Sequence, residues 1–234
     1  MIKTLGSIKN VTEALIITNS SFDIIDLKNI NDGALGYIGD SCVQEITSII
    51  KNKSLSVTAG NQKHPDTMIM EKRLYLLNKL GIEYIKIGIF DLNLLKEHED
   101  FLKKTQDYHI KKVGVLFADQ DITIDQIQDV CALNYDGLMI DTINKNNLST
   151  LDILSENKIR SFINYCNKFN KFCGISGSIT SEKVEYAMKF KPNFIGFRGA
   201  LCSDSKRNNI NANQCDSLLS HVKDISEKMY QEAV

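Results

Sequence analysis

Apolar residues along this chain follow two rhythms that alternate from end to end. Short, nearly continuous runs centre on Ile2 to Leu5, Ile24 to Lys28, Leu55 to Thr58, Tyr84 to Ile87, Val113 to Phe117, Leu138 to Asp141, Phe172 to Ile175 and Phe194 to Phe197. They are too short for helices and too apolar for half-exposed strands, so they predict eight buried strands. Between them the spacing changes to three and four residues. Thr123-Ile-Asp-Gln126 is a capping box whose helix turns Ile127, Val130 and Cys131 to one side. Ser155 precedes an apolar stripe of Ile159, Phe162, Ile163 and Cys166. Ser181 opens a helix with Val184, Ala187 and Met188 inward, ended before Pro192. A last helix, near Asn213 to Met229, buries Leu218, Leu219, Val222 and Ile225.

Strands alternating with helices pair in parallel, which leaves an open doubly wound sheet or a closed barrel. Charges inside the strand runs favour the barrel. DIIDLKN carries Asp26 and Lys28, YIKIGIF carries Lys86, and LMIDTINK carries Asp141 with Lys145 just beyond. These are the second, fourth and sixth strands, and alternate strands of a barrel supply one interior layer of side chains, near the carboxyl ends where barrel active sites lie. Asp26 and Lys28 share a strand face, with Ile25 and Leu27 on the other. The expectation is therefore an α/β fold, a single (β/α)8 barrel spanning residues 1–234, a length that such barrels commonly reach.

Composition narrows the function classes. The chain is 43% hydrophobic with a net charge of −1, which supports one large core and gives no general pull toward nucleic acid. The opening MIKTLGSIKN lacks the apolar stretch of a signal peptide and no run approaches a membrane span, so a cytoplasmic location without membrane attachment is expected. Six cysteines without a CxxC pair are expected to be reduced and mostly core-filling, and no His/Cys spacing suggests a metal. Nothing in the sequence decides between a monomer and a homo-oligomer.

The buried charges suggest chemistry. A lysine in a low-dielectric pocket near other cations loses part of its preference for the charged state and becomes a usable amine. A neutral amine attacks a carbonyl to form a Schiff base, and carboxylates within reach, here Asp26 and Asp141, can move the protons. For any one of these residues alone, a buried salt bridge is an equal reading. Three lysines with two aspartates form an unequal set that structural pairing does not need and a phosphorylated substrate does. Two glycine clusters supply its anchor. GISGSIT after the seventh strand offers Gly177 and Ser178 just before a helix, and GFRGALC after the eighth offers Arg198 and Gly199. Backbone amides and helix N-termini bind anions, and these are the loops in which barrels bind phosphate, although either cluster alone is equally a tight turn. Other features carry less. LKEHEDFLKK, with His98, reads as a solvated helix face, His64 as a loop residue at the rim, and DSKRNNINAN as a mobile loop whose Lys206 and Arg207 could close over an anion.

DIIDLKNINDGALG, YIKIG, GLMIDTINK, GSI and GFRGALC stand in the order found in the (5-formylfuran-3-yl)methyl phosphate synthase family, which the chain resembles over nearly its whole length. The resemblance implies a (β/α)8 barrel without metal or other cofactor. It also implies an enzyme of methanofuran biosynthesis that joins two molecules of glyceraldehyde 3-phosphate into a phosphorylated furan. Lys28 would be the Schiff-base lysine, and Asp26, Lys86, Asp141 and Lys145 the other essential residues. Two departures stand out. Ile30 occupies a place usually held by proline, and TAGNQKHPDT differs from the usual small-residue loop after the third strand. The rival readings are a class I aldolase or sugar-phosphate isomerase on the same barrel, and a non-catalytic phosphate-binding barrel.

Overall fold

Eight parallel strands close into a barrel in chain order, each joined to the next through helical segments. The fold is taken from a computed structural model that describes residues 2–144, 148–204 and 207–231. The strands are β1 (Lys3–Ile8), β2 (Ile24–Leu27), β3 (Ser54–Thr58), β4 (Tyr84–Gly88), β5 (Lys111–Phe117), β6 (Gly137–Asp141), β7 (Phe172–Ile175) and β8 (Phe194–Phe197). Around them lie α1 (Val11–Ile17), α2 (Asp40–Ile49), α3 (Met68–Lys79), α4 (Leu95–Lys104), α5 (Ile124–Ala132), α6 (Thr150–Ile153), α7 (Glu156–Lys168), α8 (Val184–Met188) and α9 (Ala212–Gln231). Closure is made by β1, whose Leu5 pairs with Ile24 on one side and Gly196 on the other. The eight expected strands and the barrel are thus observed, and among the described residues no helix is long and apolar enough to cross a membrane.

Three differences from the sequence reading have physical causes. Strand β1 runs on to Ile8, beyond its first apolar run, because Gly6 leaves room on the outer face for Ile17 and Phe22 while Ser7 turns inward. The helix expected from Ser181 is a single 3-10 turn, Ser181–Lys183, followed by the five residues of α8. His98 is fully buried rather than solvated. Helix α4 turns it inward with Phe101 and Leu102, while Lys96, Glu99, Asp100 and Lys103 pair with one another on the outer face. The capping box of α5 forms as expected, and all six cysteines are free thiols, four of them buried.

The period of two along each strand separates two cores. Outward residues such as Ile25, Leu27, Val57 and Ile85 pack against the helices. Inward residues such as Leu5, Ile24, Val113, Met139 and Phe194 fill the barrel itself. At the amino-terminal end the filling is aromatic, with the rings of Tyr84 and Phe172 edge to face at 5.6 Å and Phe172 next to Phe194 at 6.3 Å. Glycines make room for it, since a Cβ on Gly137 would strike Phe172 and one on Gly174 would strike Phe194. Above these rings the interior turns polar.

Candidate active site

Strand β2 sets the site. Its inward face presents Ile24 low in the barrel, Asp26 in the middle and Lys28 just past the carboxyl end. Asp26 is fully buried, and its Oδ2 accepts hydrogen bonds from Lys86 Nζ at 2.6 Å and Ser7 Oγ at 2.9 Å. Its other oxygen, Oδ1, has no hydrogen-bond partner among the described residues. An unsatisfied buried carboxylate oxygen is costly, and such atoms concentrate where a substrate group completes the bonding. Lys28 stands nearer the mouth, its Nζ 3.7 Å from Asp141 Oδ2. Asp141 is aimed by its own backbone, the amide of Thr142 donating to Oδ1 at 2.7 Å. Two ion pairs therefore meet inside one barrel, joining β2 to β4 and β2 to β6. Lys145 lies outside the described residues. The segment leading to it is held by Asp119, whose carboxylate accepts from the amides of Ile143 at 2.9 Å and Asn144 at 2.6 Å.

The loop after β2 fixes the approach to Lys28. The Asn29 amide donates to Gly36 O at 2.8 Å, and Gly36 packs so closely under Asn29 and Asp32 that a Cβ there would strike their carbonyls. Thr58 on β3 donates to Gly36 O at 2.7 Å. Asn61 accepts from the Leu35 amide at 2.9 Å and donates to Asp32 O at 2.6 Å. Asn61 comes from the divergent TAGNQKHPDT segment, so that segment serves as a brace for the lysine-bearing loop. His64, from the same segment, pairs with Glu97 at 2.8 Å in an exposed position.

The two glycine clusters flank the same mouth, and their residues divide into two kinds. Gly177 has φ +90° and packs against Thr142 and Thr150, so a side chain would be excluded by both strain and space. Ser178 follows with φ +53°. Gly199 is different, because a Cβ there would make only ordinary contacts, the nearest with Arg207 Nε at 3.6 Å. Behind each cluster stands a single 3-10 turn, Ser181–Lys183 and Gly199–Leu201, in place of a long helix N-terminus. Any phosphate held here must rely on local amides and side-chain cations more than on a helix dipole.

Arg198 does not face the mouth as expected. Its guanidinium is buried and turned to Glu13, with Nη1 2.5 Å from Oε2 and Nη2 3.0 Å from Oε1. The remaining bonds of these nitrogens go to Ser7 O, Arg207 O and Asn208 O. The pair closes the barrel seam, with Glu13 also accepting from the Lys9 and Ile210 amides at 2.9 and 3.3 Å. Its effect is to fix the backbone of Arg207. Arg207 is half-buried over Gly199, within the field of the Asp141 carboxylate, and desolvation draws its guanidinium below the usual range. Lys206 lies outside the described residues. Sequence reading did not single out Ser7, Glu13 or Asp119. An acid in an amphipathic helix and a serine beside glycine carry no signal until the strands bring their partners together.

Known proteins resemble the chain in two ways. A model of the family described as 4-HFC-P synthase matches residues 4–218. The (5-formylfuran-3-yl)methyl phosphate synthase of Methanosarcina mazei is 25% identical, with 94% of this chain and 99% of that protein covered. Its namesake in Methanococcus aeolicus is 28% identical over 87% of this chain and 92% of that protein. Among solved structures, phosphoribosyl anthranilate isomerase of Thermus thermophilus shares the fold with a TM-score of 0.67, covering 96% of this chain and all of the other at 8% identity.

Proposed function

The chain belongs to the 4-HFC-P synthase family, and we propose that it makes (5-formylfuran-3-yl)methyl phosphate from two molecules of glyceraldehyde 3-phosphate through a Schiff base on Lys28. The observation that carries this reading is the order of the charges along β2. Lys28 stands at the mouth beside a carboxylate, while Asp26 and Lys86 lie one layer deeper, at 0% and 2% exposure.

In this mechanism Asp141 takes a proton from the Lys28 ammonium, and the amine attacks the aldehyde carbon of one triose phosphate. Loss of water gives the imine. Its protonated nitrogen draws electrons from the neighbouring carbon, whose proton passes to a carboxylate. Asp26 Oδ1 is the acceptor that geometry leaves for that task. The resulting enamine adds to the carbonyl of the second triose, and the oxyanion formed there is met by the Lys86 ammonium, held ready at 2.6 Å from Asp26. Ring closure expels one phosphate and two waters, and hydrolysis of the imine consumes the water lost in its formation and returns the amine. Two trioses thus give one furan phosphate, one inorganic phosphate and two waters in total. Lys145, beyond the site's described residues, would serve as a further cation for the leaving phosphate.

The retained phosphate is placed between Gly177, Ser178 and Gly199, with Arg207 supplying the charge and Arg198 holding Arg207 in place. This differs from direct contact by Arg198, since both of its terminal nitrogens are already engaged. Incubation with glyceraldehyde 3-phosphate alone tests the proposal. A furan aldehyde absorbing in the near ultraviolet, with release of one inorganic phosphate per product, is expected. An aldolase would instead give a hexose bisphosphate, an isomerase dihydroxyacetone phosphate, and a binding protein no product.

A further inference from the structure

At the opposite end of the barrel a cavity of about 660 Å3 opens between β1, β8 and the ends of α8 and α9. Its size falls within the range of small-molecule sites. The walls are apolar, built from Leu5, Ile24, Phe172, Phe194 and Met188. Two polar groups lie at the inner end. One is Lys86, already bonded to Asp26. The other is Ser56, a residue 1% exposed whose buried hydroxyl has no hydrogen-bond partner among the described residues. Two exposed cations, Lys3 and Lys191, line the entrance. Nearby, Glu83 is paired with Lys111 at 3.1 Å and the Asp23 carboxylate accepts from the Thr4 amide at 2.7 Å.

We propose that this cavity is a second binding site, for a small aromatic carboxylate whose far edge carries a hydroxyl. The carboxylate sits between Lys3 and Lys191, the flat body lies along Phe172 and Phe194, and the hydroxyl bonds Ser56 Oγ. The dimensions agree. Ser56 is in register with Asp26 and hence with Ser7, four residues beyond Lys3 on β1 or about 13 Å along the strand. A two-ring body and the reach of a lysine side chain span that length. The anchors differ from the residues given roles in the furan chemistry, and the two regions meet at Lys86, which lines the inner end of this cavity.

Calorimetric titration of the full chain with 2-naphthoate and 6-hydroxy-2-naphthoate tests it. One saturable site is expected, with the hydroxylated probe at least fivefold tighter and neither probe displaced by glyceraldehyde 3-phosphate. Ser56→Ala should erase the difference between the probes while leaving 2-naphthoate binding unchanged. The surface variant Lys3→Glu/Lys191→Glu should weaken both probes at least tenfold. Absence of saturable binding, displacement by the triose phosphate, or indifference to the two lysine reversals would overturn the site. Equal weakening of both probes by Ser56→Ala would overturn the role given to its hydroxyl.

Discussion

Lys86 and Asp26 are sixty residues apart in the chain and 2.6 Å apart in the barrel, both almost sealed from solvent. Such a pair is not a source of stability in its own right, because desolvating two charges offsets most of their attraction, yet removing one partner leaves the other charge buried and uncompensated. Lys86→Ala should therefore lower unfolding free energy by about 3–5 kcal/mol and abolish furan formation. Lys86→Arg should lose nearly as much activity, since the planar guanidinium has no room between β2 and β4. The double variant Asp26→Asn/Lys86→Met should regain stability without activity. Retention of more than about a tenth of the rate by the Arg variant, a loss of only about 1.4 kcal/mol in barrier, would reduce Lys86 to a plain charge.

Trapping with borohydride in the presence of triose phosphate should reduce the imine and label Lys28 alone, as read by peptide mapping. Lys28→Ala should show no label and no product. Label on Lys86 would place the nucleophile one layer deeper and reverse the roles given to the two lysines.

Arg198 and Arg207 should separate cleanly. Arg207→Ala should raise KM for the triose phosphate at least tenfold with little change in thermal stability. It should leave Lys28 open to modification by a small aldehyde lacking phosphate. Arg198→Ala removes the partner of buried Glu13 and should lower stability by about 3–5 kcal/mol. Calorimetry of both variants, with and without inorganic phosphate, distinguishes the contact from its support. Unchanged KM in Arg207→Ala would return the phosphate to the backbone amides alone.

Burial lowers the pKa of His98 to about 4, with its Nδ1 2.7 Å from the Tyr135 hydroxyl. The unfolded chain takes up this proton near pH 6.5 while the folded chain resists it down to about 4, so this stability is full above pH 6.5 and lost as pH falls. Denaturant unfolding should show a loss of roughly 2 kcal/mol from this group between pH 7 and 4.5. His98→Leu should remove that part of the pH dependence. An identical slope in the variant would show that the imidazole is protonated in place.

The barrel and the meeting of Asp26, Lys86, Lys28 and Asp141 were legible because each charge interrupts an apolar strand run, and strand period fixes which face it takes. Arg198 was legible as a cation just after the eighth strand but neither in its burial nor in its direction, since its partner Glu13 lies 185 residues away and only closure of β1 on β8 joins them. His98 was hidden for a related reason. The charges around it dominate the local pattern, and a period-3.6 reading cannot tell one inward histidine from its outward neighbours until Phe101 and Leu102 define the face.

The glycines that seat the aromatic floor carry an evolutionary consequence. Gly174 exists at that point because the Phe194 ring occupies the volume of its missing side chain. Neither residue can drift independently: alanine at 174 demands a smaller residue at 194, and loss of the ring alone leaves a void beneath the reacting groups. Homologues should therefore show the two positions substituted as a correlated pair, and a lineage that has exchanged both would have reshaped the floor of its barrel without touching a single charge above it.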